Sequence, residues 1–294
     1  MGLGGQGVKP SVEILCDGNS KVGYGHIRRS MTLARKLDAA GFEVRISGLS
    51  AEAREALPPP RSLARPVRIS IFDSLADISA PIAEHRAMGR VTLGLDCFSS
   101  EEPDVNVAIY PHTPVRAKQR TYVGFEYILV REEIQEVKLS VIEGGRGVLI
   151  VLGGGDLLGQ GHQAAKRLAE AGCEVTLVQG PYATDVRSEH GYEVVVNPQD
   201  LPERMARAEW MVTNGGGCLF EALFLEKPVY VLPQTEAEER IAAAVSKRNA
   251  LLGVGLNGLK SFASDELVVA RARSSGVVDG RGAERISSIV EALA

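Results

Sequence analysis

Short apolar runs alternate with longer amphipathic stretches along most of the chain. The run Val12-Glu13-Ile14-Leu15-Cys16 reads as a buried strand, and Ile27, Met31, Ala34 and Leu37 then recur at helical spacing until Gly41. Further strands are expected at 43–47, 67–72, 91–95 and 105–109, separated by helical or loop segments. A second series begins at 147–152, runs into Gly153-Gly154-Gly155-Asp156 and continues into a helix carrying Ala164, Ala165, Leu168 and Ala169. It resumes with strands at 174–178, 209–213 and 228–232. Such alternation predicts an α/β protein with parallel sheets covered by helices. Near the end, Ile286, Ile289, Val290 and Leu293 form an apolar helical stripe that needs a partner, expected at the domain junction.

The polar stretch Glu143-Gly144-Gly145-Arg146 separates the two series, so domains are expected at 1–142 and 143–294. A length of 294 residues fits two such domains. The composition, 45% hydrophobic and 24% charged, is that of a soluble globular protein. A net charge of −4 and the lack of a Lys/Arg run leave no field for nucleic acid. The apolar stretches fall short of a membrane span and no signal peptide is legible, so a cytoplasmic location is expected. Cys16, Cys97, Cys173 and Cys218 are too scattered for a Cys-x-x-Cys site and read as reduced thiols, and neither a metal nor an organic cofactor is expected. The glycines Gly2, Gly4 and Gly7 match a dinucleotide fingerprint, but they precede the first strand and read as a leader.

The richest candidate chemistry lies in Gly23-Tyr24-Gly25-His26-Ile27-Arg28-Arg29. Two glycines allow the backbone to approach a ligand, and His26 stands at a helix start, whose positive end favours the neutral, proton-accepting ring. Asp17, Asp73 and Asp96 each follow a strand, on the edge of a parallel sheet that faces ligands. Asp73 and Asp96 read first as caps of the next helix or turn. Asp17 shares the His26 loop and is the better functional candidate. Of the other histidines, only His112, beyond Tyr110-Pro111 at a strand end, is positioned to approach the site.

In the second series Gly153-Gly154-Gly155-Asp156 and Asn214-Gly215-Gly216-Gly217-Cys218 each follow a strand and open a helix. Two such loops in one domain make a diphosphate cradle of backbone N–H groups, and Glu221, one turn into the second helix, is placed to accept ribose hydroxyls.

These residues give the chain a resemblance to the pseudaminic acid pathway hydrolases, which remove UDP from UDP-2,4-diacetamido-2,4,6-trideoxy-β-L-altropyranose and are related to MurG-type GT-B glycosyltransferases. The markers are the 23–29 loop followed by Leu33-Ala34, then Gly124-Phe125-Glu126-Tyr127-Ile128-Leu129-Val130-Arg131-Glu132-Glu133, Gly153-Gly154-Gly155-Asp156, and Glu221-Ala222-Leu223 with Gln234. The Tyr127-x-Leu129-x-Arg131-x-Glu133 segment is the most specific. The resemblance implies two Rossmann-like domains facing across a cleft, with the nucleotide held mainly by the second and the residue matching His26 catalytic. It also implies that Asp17 lies in the substrate loop, where it either orients His26 or binds a sugar hydroxyl, and Tyr24 and Arg28 of the His26 loop are taken as further substrate-binding candidates. The chain departs from the family pattern at Leu15, Tyr110, Pro233, Gly155, Gly217 and Cys218, which points to a different nucleotide sugar. The alternatives are a glycosyltransferase, in which His26 activates an acceptor hydroxyl, and a nucleotide-sugar-binding protein without turnover.

Overall fold

The computed structural model describes residues 9–18, 24–116, 119–139, 145–153, 156–180 and 191–294. The leader glycines, Gly23, Glu143, Gly144, Gly154, Gly155 and His190 lie outside these residues. The chain divides into two compact units. The first comprises described residues within Met1–Asn19, His26–Leu129 and Arg281–Ala294, and the second those within Ser20–Gly25 and Val130–Gly280.

The first unit is built from β1 (Ser11–Cys16), α1 (Gly25–Ala39), β2 (Glu43–Gly48), α2 (Ala51–Ala56), β3 (Val67–Asp73), α3 (Ser79–Ala87), β4 (Val91–Leu95), β5 (Val105–Ala108) and β6 (Arg120–Val123). Its six strands are all parallel, in the order β2-β1-β3-β4-β5-β6. β1 is buried along its whole length and pairs β3 so that Cys16 lies level with Asp73. All strands therefore present their C-terminal ends on one edge, where loops converge. Glu13, buried in mid-β1, survives there because Arg45 and Arg90 pair with it and Ser47 donates to it.

The second unit contains α4 (Glu132–Leu139), β7 (Val148–Val151), α5 (Gln160–Glu170), β8 (Val175–Gln179), β9 (Glu193–Val196), α6 (Leu201–Arg207), β10 (Trp210–Thr213), α7 (Gly217–Phe224), β11 (Val229–Val231), α8 (Glu236–Ser246), β12 (Gly253–Val254) and α9 (Ser264–Ser274). Its sheet is also parallel, in the order β12-β11-β10-β7-β8-β9. Ile150, Leu177, Trp210 and Val212 from the strands pack with Ala164, Ala165 and Leu168 of α5 in one core.

The observed division differs from the expected boundary at 142/143. The chain passes from the first unit to the second at Leu129/Val130, and α10 (Gly282–Leu293) returns to the first. Helix α10 buries Ile286, Ile289 and Val290 within the first unit and lies against the turn Phe125–Tyr127. Gly282 is required there, because a Cβ would meet the Ile128 carbonyl oxygen at 2.0 Å. Gly145 and Arg146, expected as linker, run beside the end of α6, with Arg146 N–H donating to the Arg207 carbonyl. Among the described residues no helix is long and apolar enough to cross a membrane, and no group of three or more His, Cys, Asp or Glu is arranged to hold a metal ion.

Candidate functional site

In the first unit the buried stripe of α1 begins polar and turns apolar. His26, Arg29 and Ser30 stand at i, i+3 and i+4, and Leu33, Ala34 and Leu37 continue the same face into the core. All three polar side chains converge on Asp73 at the end of β3. The His26 imidazole is bonded through Nδ1 to Asp73 Oδ1 at 2.6 Å. Arg29 donates from Nε to Oδ2 at 2.8 Å and from Nη2 to Oδ1 at 2.5 Å, and Ser30 Oγ donates to Oδ2 at 3.0 Å.

Asp73 is fully buried. Burial alone would raise its pKa, but the Arg29 guanidinium and then His26 outweigh it and hold the carboxyl well below the usual carboxylate range. An ionised Asp73 can only accept, so the proton of His26 sits on Nδ1 and the Nε2 lone pair faces away from the pair. Such an arrangement can take a proton from a nucleophile and stabilise the imidazolium that results.

Arg29 is itself buried, which opposes its charge, but Asp73 and Asp96 more than offset this and raise its pKa. Its Nη1 donates to Asp96 Oδ2 at 2.9 Å. Asp96 follows β4 with a φ of 52°, a left-handed conformation that aspartate tolerates better than most residues. Its Oδ1 accepts from Ile109 N–H, Tyr110 N–H and Thr113 Oγ, so it anchors the loop after β5. Over Tyr110 lies the Arg29 guanidinium, 5.6 Å from the ring centroid. His112 stacks on Tyr110 at 5.8 Å and on Phe98 at 5.6 Å. Burial pushes the Tyr110 hydroxyl up to about 12.

The remaining expected residues of this loop fall as follows. Asp17 accepts from Ser50 Oγ at 2.5 Å and from Gly18 N–H, so its carboxylate ties the end of β1 to the N-cap of α2, while Asp73 orients His26. Asp17 stays on the same sheet edge, its N–H donating to the Asp73 carbonyl. Tyr24 is half-buried, and Gly25 and Arg28 are exposed. Gly25 keeps an ordinary φ, and a Cβ there would meet nothing within 4 Å, so open space lies above the helix start. Asp73 was legible only as a cap, and the polar start of the α1 stripe was the signal for its role.

In the second unit Gly153 follows β7 with a φ of 72°, and a Cβ there would meet Asn214 Nδ2 at 3.1 Å. Asp156 caps α5: its carboxylate accepts from Gln160 N–H at 2.8 Å and Gly161 N–H at 2.6 Å. Those helix-end donors are thus already engaged by an anion. By contrast, α7 starts at Gly216 and Gly217 with no side-chain cap, and nothing lies within 4 Å of a Cβ at Gly217. Gly215 permits close approach of α8, since a Cβ would stand 2.6 Å from the Glu238 backbone oxygen. Glu238 accepts from Asn214 Nδ2 at 2.6 Å and Gln234 N–H at 2.7 Å. Burial raises its pKa against those bonds. Gln234 also accepts from Leu158 N–H, binding the two loops together. Among the described residues the buried Thr213 Oγ and Asn214 Oδ1 at the end of β10 have no hydrogen-bond partner.

Glu221 is buried on α7, and Arg131 grips it with both prongs: Nε donates to Oε1 and Nη2 to Oε2, at 2.5 and 2.7 Å. Sequence reasoning singled out Arg131 only as part of a motif, and missed Glu238. The Thr235-x-x-Glu238 capping pattern at the start of α8 was the available signal for the latter.

No protein-family model matches the chain. The spore coat polysaccharide biosynthesis protein SpsG of Bacillus subtilis is 25% identical over 215 residues, covering 65% of this chain and 62% of that protein. The chain is therefore matched to less than two thirds of that relative's length. Among solved structures, MurG of Acinetobacter baumannii superposes with a TM-score of 0.68 at 11% identity, over 96% of this chain and 100% of that one. The co-structure of S. aureus MnaA with UDP gives 0.65 at 11% identity, with 96% of each chain covered. The glycotransferase of kitacinnamycin gives 0.63 at 15%, over 97% of this chain and 99% of that one. The two parallel six-stranded sheets are those of the GT-B fold.

Proposed function

We propose that this chain is an enzyme of surface-polysaccharide or nonulosonic acid biosynthesis that hydrolyses a nucleotide-activated sugar, UDP-linked by preference. The observation that carries the reading is the 2.6 Å bond between His26 Nδ1 and a carboxylate kept ionised by the buried Arg29. His26 Nε2 takes a proton from water as its oxygen bonds to the anomeric carbon. The bond from that carbon to the diphosphate oxygen breaks, and its electron pair leaves with the nucleoside diphosphate. Asp73 offsets the charge of the imidazolium until the proton is returned to solvent. A base so positioned is worth about 10²- to 10⁴-fold in rate.

The nucleotide belongs to the second unit in this reading. The uncapped start of α7 at Asn214, Gly215, Gly216 and Gly217 receives the diphosphate by backbone N–H groups, with Gly153 and Gln234 shaping the loop beside it. Thr213 Oγ and Asn214 Oδ1, without a partner among the described residues, support a polar ligand at this place. Glu221 takes the ribose hydroxyls. Asp156 acts by capping α5. The UDP of the MnaA co-structure and the polysaccharide role in the name of SpsG support the substrate class. The finer assignment, to a relative of the pseudaminic acid pathway hydrolases, rests on the motif resemblance.

A thermal-shift screen of UDP-, CMP-, CDP- and GDP-sugars identifies the nucleotide, because a ligand that binds the folded state raises its melting temperature. The stabilising sugar is then incubated with the enzyme in ¹⁸O water without any acceptor. Stoichiometric release of nucleoside diphosphate with label in the sugar hydroxyl is expected. Release only after an acceptor is added would make the protein a transferase, and stabilisation without release would make it a binding protein.

A further inference from the structure

Asp96, legible in the sequence only as a cap, closes a row of buried charges that starts at His26 and runs through Asp73 and Arg29. We propose that Asp96 is a positioning residue for the base, setting how readily His26 takes a proton by sharing the Arg29 guanidinium with Asp73. This rests on the reading of His26 as the general base.

The charges of the row do not balance while His26 is neutral. Each carboxylate oxygen of Asp73 and Asp96 accepts from an N–H or O–H group, so both side chains are ionised, against one guanidinium. One negative charge is left over, and an imidazolium at the end of the row cancels it. Water screens this little, since the side chains of Asp73, Asp96 and Arg29 are 0%, 2% and 10% exposed. Were Asp96 neutral, Arg29 would pair with Asp73 alone, and the imidazolium would lose the distant negative charge and part of the near one. Both losses make His26 a weaker base.

The other titratable groups described around the row do not obscure this. Tyr110, beneath Arg29, and Cys16, level with Asp73 on β1, are each pushed up to about 12 by burial, so both stay neutral near pH 7. Asp17 on the same sheet edge is bonded to Ser50 and Gly18, and Arg28 on α1 is exposed. These two act alike on wild type and on a variant at position 96.

The bonds of Asp96 also dictate which variant isolates its charge. Oδ1 accepts from Ile109 N–H, Tyr110 N–H and Thr113 Oγ, whereas among the described residues Oδ2 accepts from Arg29. In Asp96→Asn the amide oxygen therefore keeps the three loop donors, and the NH₂ turns to Arg29 Nη1, donor against donor. Asparagine also tolerates the φ of 52°. The loop is kept and the charge is lost. Thr113→Val does the reverse, removing one loop bond and no charge, and serves as the control.

The test follows the imidazole ring protons of His26 by NMR against pH, in the full chain without ligand, the resonance being assigned by its absence from His26→Asn. The midpoint in Asp96→Asn is expected about one pH unit below that of wild type, the scale of one charge removed from beyond a guanidinium at an effective dielectric of about 20. Turnover of whichever nucleotide sugar the wild type hydrolyses should follow. Its acid limb should move to lower pH by the same amount and its plateau fall by about threefold, because a weaker base transfers protons more slowly, with KM within about twofold. Thr113→Val should melt at a lower temperature and keep both the midpoint and the acid limb. A folded Asp96→Asn protein whose His26 midpoint stays within about 0.2 pH unit of wild type, or rises, overturns the proposal, as does an equal shift in Thr113→Val. A shifted midpoint that the acid limb of turnover does not track supports the hold of Asp96 on His26 and overturns the assignment of His26 as the base. If Asp96→Asn does not fold by circular dichroism, Asp96→Gly, which suits the φ of 52°, is titrated instead. Failure of both to fold assigns Asp96 to the loop alone and overturns the proposal.

Discussion

Replacing Asp73 by Asn removes one charge at constant shape and separates the two duties of that residue. The carboxylate accepts four bonds, two from Arg29 and one each from His26 and Ser30. An amide has one oxygen and one NH₂, so it satisfies at most one side. With its oxygen toward His26, the NH₂ faces Arg29 Nε–H, donor against donor. With its oxygen toward Nε and Ser30, the NH₂ faces both Arg29 Nη2 and His26 Nδ1, and the imidazole must shift its proton to Nε2, losing the base. Both orientations break at least one Arg29 bond. Removing one partner of a buried ion pair costs about 3–5 kcal/mol. Arg29 keeps Asp96, which argues for the low end. A loss of about 3 kcal/mol lowers the melting temperature by about 6–12 °C for a unit of this size. Turnover should fall by about 10²- to 10⁴-fold, measured as nucleoside diphosphate released from whichever nucleotide sugar the wild type hydrolyses, at a temperature where the variant is folded. Nucleotide affinity should change little. Near wild-type turnover in a folded Asp73→Asn protein would refute the assignment of Asp73 as the partner of the base. An unchanged melting temperature would refute the buried triad.

Three further outcomes are expected. His26→Asn should lose about two to four orders of magnitude in turnover with ligand affinity within a few-fold, as expected when a group matters chiefly in the transition state; a variant keeping most of its rate would move the base elsewhere, with Asp17 next. The folded-state pKa of Asp73 is depressed, so its contribution to stability is full above the unfolded carboxylate value of about 4 and is lost as the pH falls below it. Melting temperature should therefore drop from pH 7 to pH 3 more steeply in wild type than in Asp73→Asn, and parallel curves would count against the depression. Gly282→Ala should destabilise by about 1–3 kcal/mol despite the better helix propensity of alanine, because its methyl group meets the Ile128 carbonyl; a melting temperature at or above wild type would mean that the start of α10 is not packed there.

The central strands were legible nearly to the residue, since a strand buried on both faces reads as a continuous apolar run: β1, β4 and β10 begin or end within one position of expectation. The strands without an expectation, β6, β9 and β12, are the short ones at or beside sheet edges, where partial exposure removes that signal. The candidate site was half legible. His26 announced itself by its glycines and helix start, whereas its partner lies 47 residues on and is brought near because β1 sits beside β3, an order that no local pattern encodes. The pairing of Arg131 with Glu221, 90 residues apart, was hidden for the same reason. Asp156 is the converse: it reads in the sequence as part of a diphosphate loop, but it stands ahead of the Gly159 N-cap and its carboxylate accepts from the first two N–H groups of α5.

The return of α10 to the first unit bears on the order of events at the ribosome. Residues that form the strands of that unit emerge first, but Ile286, Ile289 and Val290 belong to the same unit and are made last. During synthesis the second unit, with all its strands and helices within Val130–Gly280, is complete while the first still waits for a helix. The nascent chain then carries, around the turn Phe125–Tyr127, a surface that α10 has yet to cover. Chains stalled or cleaved before position 282 therefore release a finished second unit attached to an unfinished first one, a species that chaperones and proteases can tell from the mature protein.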